Sequence, residues 1–188
     1  MSKYAVLLFF ISFCAALSDE QITNKNVSFG VVVLPDIIPI PENGDVSIQS
    51  LLLCLKVTNN SDEILCISRY ESALPKLTAL NGERLPIAYY RNATRECGSG
   101  DFVYLSPGRS TYILTSCSFG MLDGKPSLFG DDNAGGLWKI GNIKKGNYLL
   151  SLAYRVDPNL FPKERFKQAQ VPGWAGEIET KPIPISFK

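Results

Sequence analysis

With 188 residues, 45% of them hydrophobic and 11% aromatic, the chain is too apolar to be disordered and long enough to close a core without a metal or a dense set of disulfides. Lys and Arg total 19 against 18 Asp and Glu, a balance that leaves no electrostatic footprint for nucleic acid or an anionic membrane. The chain has no histidine, which removes the commonest general base, the usual Ser and Cys triads and the commonest zinc ligand.

Residues 1–18 carry one early charge, Lys3, then an apolar run over 4–17, with Ala16 and Ser18 at the small positions before a cut ahead of Asp19. That three-part pattern predicts a secretory signal peptide, removed to leave one domain over 19–188 and a secreted or periplasmic protein. A membrane anchor needs about 20 apolar residues, so the 14-residue run predicts cleavage and no stable anchor afterwards.

The predicted elements of the mature chain are strands. Residues 27–34 place Val27, Phe29, Val31 and Val33 on one face. The stretch 35–41 has three prolines and suits an edge or connection. After the turn Asn43-Gly44-Asp45 come strands over 46–57 and 64–70, separated by Asn59-Asn60-Ser61-Asp62. Strands over 76–80 and 85–90 flank Asn81-Gly82, a strong hairpin signal. Strands over 102–105 and 110–116 flank Ser106-Pro107-Gly108, and a short one covers 137–140. The long stretches 119–136 and 157–175 read as loops, with about two helical turns over 162–169.

Residues 146–156 form the predicted central strand. Tyr148, Leu150, Leu152 and Tyr154 give it a wholly apolar face that demands a second β-layer. Residues 176–187, interrupted by Pro182 and Pro184, close the domain as an edge strand.

Cys54, Cys66, Cys97 and Cys117 remain after the leader is removed, and an even count in an exported chain predicts two disulfides. Three connectivities are open. The predicted hairpins set Cys54 opposite Cys66 and Cys97 opposite Cys117.

The segments Leu55-Lys56-Val57-Thr58-Asn59-Asn60-Ser61-Asp62, Leu77-Thr78-Ala79-Leu80-Asn81-Gly82, Leu105-Ser106-Pro107-Gly108, Lys145-Gly146-Asn147-Tyr148 and Trp174-Ala175-Gly176-Glu177-Ile178 resemble the landmarks of immunoglobulin-like β-sandwiches. In order they are similar to exported bacterial domains of the BsuPI proteinase-inhibitor type. The resemblance covers residues 46–187 and implies an all-β, antiparallel, immunoglobulin-like two-sheet sandwich with long loops at one end. It also implies that Tyr148 sits near a tyrosine corner, its hydroxyl bonded back to nearby backbone. Leu150 stands where antibody domains carry a cysteine.

Three groups invite a chemical reading. Asp131-Asp132-Asn133 on a glycine-rich turn supplies oxygen ligands of the kind calcium uses, but Asn142 stands where an EF-hand needs Glu, and a solvated flexible loop is the stronger reading of the cluster. Lys163, Arg165 and Lys167 lie beside Phe161 and Phe166. Asn26-Val27-Ser28, Asn59-Asn60-Ser61 and Asn92-Ala93-Thr94 are glycosylation acceptors in a eukaryotic host.

These observations predict an exported, non-enzymatic binding protein that engages a protein partner, as an inhibitor or immunity factor, through a loop surface centred on Phe161, Phe166 and Trp174. No cofactor is expected. The alternatives are a structural or assembly component of the cell envelope, with proline-guarded edges, and a small hydrolase that works without histidine.

Overall fold

The computed structural model describes residues 22–24, 26–41, 47–70, 73–91, 94–160 and 171–188. Among them are sixteen strands and two single-turn 3-10 helices. The first eight strands are β1 (Ile22–Asn24), β2 (Val27–Leu34), β3 (Ile37–Ile38), β4 (Ile48–Ser50), β5 (Leu52–Asn59), β6 (Leu65–Ser68), β7 (Leu74–Ala79) and β8 (Ile87–Arg91). There follow β9 (Phe102–Leu105), β10 (Ser110–Thr115), β11 (Ser118–Leu122), β12 (Lys125–Asp131), β13 (Gly136–Ile140), β14 (Gly146–Val156), β15 (Gly176–Glu179) and β16 (Ile183–Phe187). The chain is all-β.

As the alternation of its side chains predicts, β14 is the centre of a sheet. It pairs with β7 along one side and with β15 and β16 along the other, and β3 adds to β16 in parallel. Tyr148, Leu150, Leu152, Tyr154 and Val156 are all buried. Each of the leucines contributes about 1.5–3 kcal/mol of burial. The Tyr148 hydroxyl donates to Lys144 O at 3.1 Å, the backward bond expected of it.

Between the pairs Leu150↔Ile183 and Ala153↔Glu179, β14 uses two residues and the edge uses three, so Lys181 and Pro182 sit in a bulge. Pro184 is tolerated for a different reason. Ser186 N and Lys188 N bond to Asp36 O and Ile38 O, so even-numbered residues of β16 face β3, and Pro184 lies beyond its end.

The apolar face of β14 is covered by the sheet β1-β2-β5-β10, which contributes Val27, Phe29, Val31, Val33, Leu53, Leu55, Val57 and Ile113 to one core. Phe29 meets Tyr154 at 6.0 Å and Trp174 at 4.9 Å, which ties the two layers together. A third sheet, β4-β11-β12-β13-β8, closes the end of the same core through Phe119, Leu128, Trp138 and Ile140, with Phe119 5.0 Å from Phe187.

A two-stranded ribbon runs through three of the four sheets. Residues 48–59 stay antiparallel to the stretch that includes β10 and β11, through the pairs Thr58↔Ser110, Leu53↔Thr115 and Ser50↔Ser118. The bond from Leu51 N to Cys117 O (2.9 Å) bridges the change of sheet. Gly130 makes that crossing possible, because a Cβ there would lie 1.8 Å from Ser116 O.

At its other end the ribbon turns a corner into the small sheet β6-β9. The corner is pinned by Asn59, which is 0% exposed. Its Nδ2 donates to Glu63 O (2.7 Å) and Leu105 O (2.8 Å), and its Oδ1 accepts from Ser61 N (2.9 Å) and Ser61 Oγ (2.7 Å). Every donor and acceptor position of the amide is therefore used.

The ribbon overturns two expected hairpins. Chain 64–70 does not fold back on 46–57, and 102–105 does not fold back on 110–116, because both turns cross between sheets. Cys54 consequently stands opposite Val32 and Leu114, Cys66 opposite Tyr104, and Cys117 beside Leu51. No disulfide joins Cys54, Cys66, Cys97 or Cys117.

The Asn81-Gly82 turn does form, with Leu85 N bonded to Leu77 O, but its second arm leaves after three residues and continues as β8 in the third sheet. Residues 119–136 are no long loop either. They form the β11–β12 hairpin around Asp123 and Gly124, whose φ values of 52° and 70° fit a two-residue turn. Gly120, Gly130 and Pro126 had obscured the alternation.

Candidate functional site

Strand β10 reads Ser110-Thr111-Tyr112-Ile113-Leu114-Thr115, β-branched and aromatic in character, with none of the Pro or Lys that usually blunts an exposed edge. It is the terminal strand of its sheet. The flanking bonds Asn59 N to Arg109 O (3.0 Å) and Leu51 N to Cys117 O show that odd-numbered residues point their backbone groups at β5. By alternation, Ser110, Tyr112 and Leu114 point theirs outward. Asn133 Nδ2 confirms the direction by donating to Leu114 O at 3.1 Å, which also stops the ladder there. The Tyr112 and Leu114 side chains, 37% and 60% exposed, stand on the solvent face beside that edge.

Alongside the edge runs a groove of about 340 Å3, walled by Tyr112, Ile113 and Leu114 on one side and by Arg69, Arg95, Gly100, Asp101 and Asn133 on the other. The far wall is rigidly built. Arg95 forks onto Asp101 with Nη1 at 2.9 Å and Nη2 at 2.6 Å, and its Nε donates to Asn133 O at 2.9 Å. The Tyr70 hydroxyl donates to Arg95 O, and its ring lies under the guanidinium at 5.3 Å. The Arg95 guanidinium holds the Asp101 carboxyl below the usual carboxylate range, with Gly98 N adding a bond of 2.7 Å. Arg69 extends from the end of the β6–β9 ribbon, where its backbone N donates to Asp101 O and its Nη2 to Gly100 O at 3.1 Å. Among the described residues it makes no ion pair.

A second cleft, of about 370 Å3, lies between the third sheet and β14, lined by Leu74, Tyr89, Arg91, Asp132, Ala153, Tyr154, Arg155 and Glu177. Asp132 belongs to the acidic turn that suggested calcium, yet it is only 3% exposed. Its Oδ1 accepts from Ala134 N (2.9 Å) and Gly136 N (2.7 Å), and its Oδ2 accepts from the Tyr89 hydroxyl and from Arg91 Nη2 (3.4 Å). Burial alone would raise this carboxyl, but those hydrogen bonds outweigh it and hold Asp132 below its ordinary range. A carboxylate surrounded by donors organises its own loop. Asp131 Oδ1 caps Asn133 N at 3.0 Å in the same turn, which is therefore a built corner and not a solvated loop. Among the described residues no three His, Cys, Asp or Glu side chains converge as a metal site.

The expected recognition residues fare differently. Phe161 and Phe166, with Lys163, Arg165, Lys167 and the helical turns over 162–169, lie outside the described residues. Trp174 is 4% exposed and stacks on Tyr154 at 5.3 Å and 14°, so it is a core residue rather than part of a loop surface. Of the glycosylation acceptors, Asn59 is buried and fully bonded, Asn26 is exposed, and Asn92 lies outside the described residues. Arg69, Arg95 and Tyr112 were not signalled by any motif, and Asn133 was signalled only as part of the calcium-type turn. The one usable clue was the absence of charge and proline from β10, which has meaning only once β10 is known to be an edge.

Comparison with protein families, curated proteins and solved structures found no match to this chain.

Proposed function

We propose that this chain is a non-enzymatic binding domain that captures a protein partner by accepting an extended segment of it as an added strand along β10. One observation carries the reading: the outward backbone groups of Ser110, Tyr112 and Leu114 lie along the open edge of the sheet, and Tyr112 and Leu114 wall a groove beside it. The five outward groups that Asn133 leaves open are worth on the order of 3–7 kcal/mol as hydrogen bonds. Association itself costs a comparable amount, so the exposed Tyr112 and Leu114 side chains must contribute as apolar anchors. The leader-like residues 1–18 support an exported protein acting in the periplasm or outside the cell. Inhibition or immunity is then the simplest use of a domain that blocks a segment of its partner. The carboxylates of Asp101, Asp132 and Glu179 support a non-catalytic role, since each spends its oxygens on neighbouring donors.

The test is backbone hydrogen exchange on the protein alone and after capture of a partner from envelope or secreted extract. The reading expects the Tyr112 and Leu114 amides to exchange fast alone and to become protected in a complex of fixed stoichiometry. Protection confined to the Arg91–Arg155 cleft, with β10 unchanged, refutes it. Incorporation into a large, open-ended assembly favours the envelope-component alternative instead.

A further inference from the structure

The charge arrangement at one end of the groove says what kind of segment it takes. Arg95 is largely committed: Nε bonds Asn133 O, Nη1 bonds Asp101 Oδ2 and Glu96 O, and Nη2 bonds Asp101 Oδ1, which leaves one of its five donors. Asp101 is forked by Arg95 and also feels the charge of Arg69, so among the described residues the wall carries two cations against one carboxylate, and Arg69 is the cation without a carboxylate of its own. Of the five donors on its guanidinium, one is used among the described residues, by Gly100 O. Asn133 ends the open ladder at Leu114, at the end of β10 that Ala73 also meets, since Thr115 Oγ1 donates to Ala73 O. A strand laid on β10 therefore runs out of backbone partners where a guanidinium with spare donors begins.

Resting on the strand-addition reading, we infer that the accepted segment is an extended peptide with an acidic side chain at the Leu114 end, bound there by Arg69. The backbone bonds supply sequence-independent affinity, and the carboxylate on Arg69 fixes register and direction. A second copy of this chain fits poorly. Antiparallel self-pairing centred on Tyr112 sets Thr115 opposite the Arg109 of the other copy, bringing a cation to the Arg69 end, and β10 itself carries no acidic residue to offer. An open apolar edge is thus guarded against self-association by charge while staying open to an acidic partner.

The experiment is selection of randomised seven-residue peptides, displayed on a carrier, against the full chain and its Arg69→Ala and Arg69→Glu variants. Arg69 is exposed, and thermal melting checks that the variants fold. The expected result is Glu or Asp at one fixed position among selected peptides, no preference with Arg69→Ala, and Lys or Arg with Arg69→Glu. A selected peptide remade with Gln for its acidic residue should bind about tenfold more weakly to the parent chain, with no such difference on Arg69→Ala. Selected peptides that protect the Tyr112 and Leu114 amides but show no acidic preference, or keep one with Arg69→Ala, overturn the inference and leave strand addition standing. Failure to select any peptide, or selection of peptides that leave those amides exchanging, overturns both. A concentration-dependent dimer with β10 protected in the absence of peptide also overturns it, in favour of self-pairing.

Discussion

Replacing Asn59 by Asp changes one atom at the corner of the ribbon, and its cost can be worked from the geometry. Oδ1 keeps both bonds to Ser61, while Nδ2 becomes an oxygen facing Glu63 O at 2.7 Å and Leu105 O at 2.8 Å. Two net hydrogen bonds of about 0.5–1.5 kcal/mol each are lost, and two carbonyls are left facing a buried negative charge. The total is about 3–5 kcal/mol, a large share of the roughly 5–15 kcal/mol that holds a domain together. For a chain of this size it lowers Tm by roughly 6–20 °C.

The loss also has a definite pH dependence. The new carboxyl, unfolded value about 3.9, is raised in the folded state by its surroundings. It is therefore tolerated while protonated, when it donates to one carbonyl, and its penalty grows as pH rises through the folded value. Paired urea melts of N59D and the parent at pH 7 and pH 4.5, followed by tryptophan fluorescence, should show a wide gap that narrows in acid. Equal stabilities at pH 7, or a gap indifferent to pH, would refute the corner-pin account.

The other predictions test separate parts of the fold. Gly130→Ala places a Cβ 1.8 Å from Ser116 O, a backbone atom that cannot rotate away, so it should cost about 3 kcal/mol or more in chemical denaturation; an unchanged midpoint would mean the sheets do not cross there. Burial pushes the Cys66 thiol up to about 11 and the Cys117 thiol up to about 12, so neither should react with a disulfide reagent at pH 7.5 until the chain unfolds, as mass spectrometry of labelled peptides will show. The depressed carboxyls of Asp101, Asp132 and Glu179 contribute stability that is present above their unfolded values near 4 and lost as pH falls through their folded ones. Acid titration should therefore unfold the parent below about pH 4, and Asp132→Asn should be less stable at pH 7 but show a shallower acid limb.

Local pattern located most of the extended segments, though it missed β11 and β12, and it picked out the core-facing side chains of the most regular strands. In β2 and β14, alternation at a period of two residues named the side chains that meet in the core, because side-chain direction in a strand follows from the backbone alone, but it did not foresee that Ser28 and Val32 on the other face of β2 are buried too. Gly82 and the Asn81 beside it likewise announced their turn. Pairing partners were another matter. Asn59, read as part of a simple hairpin turn, is instead the buried pin of a corner, and the turn 106–108 beside it crosses to another sheet. Nothing within a few residues distinguishes the two outcomes, since the difference is made by Leu105 and Arg109 arriving from 46 and 50 positions away. The proposed binding edge belongs wholly to that second class. That β10 has an open side, that Asn133 closes its last carbonyl, and that Arg69 and Arg95 share one carboxylate, Asp101, on the described groove wall are facts about which distant segments meet. Hydrophobic period is a property of neighbours along the chain, whereas an unpaired edge is defined by the neighbours it lacks in space.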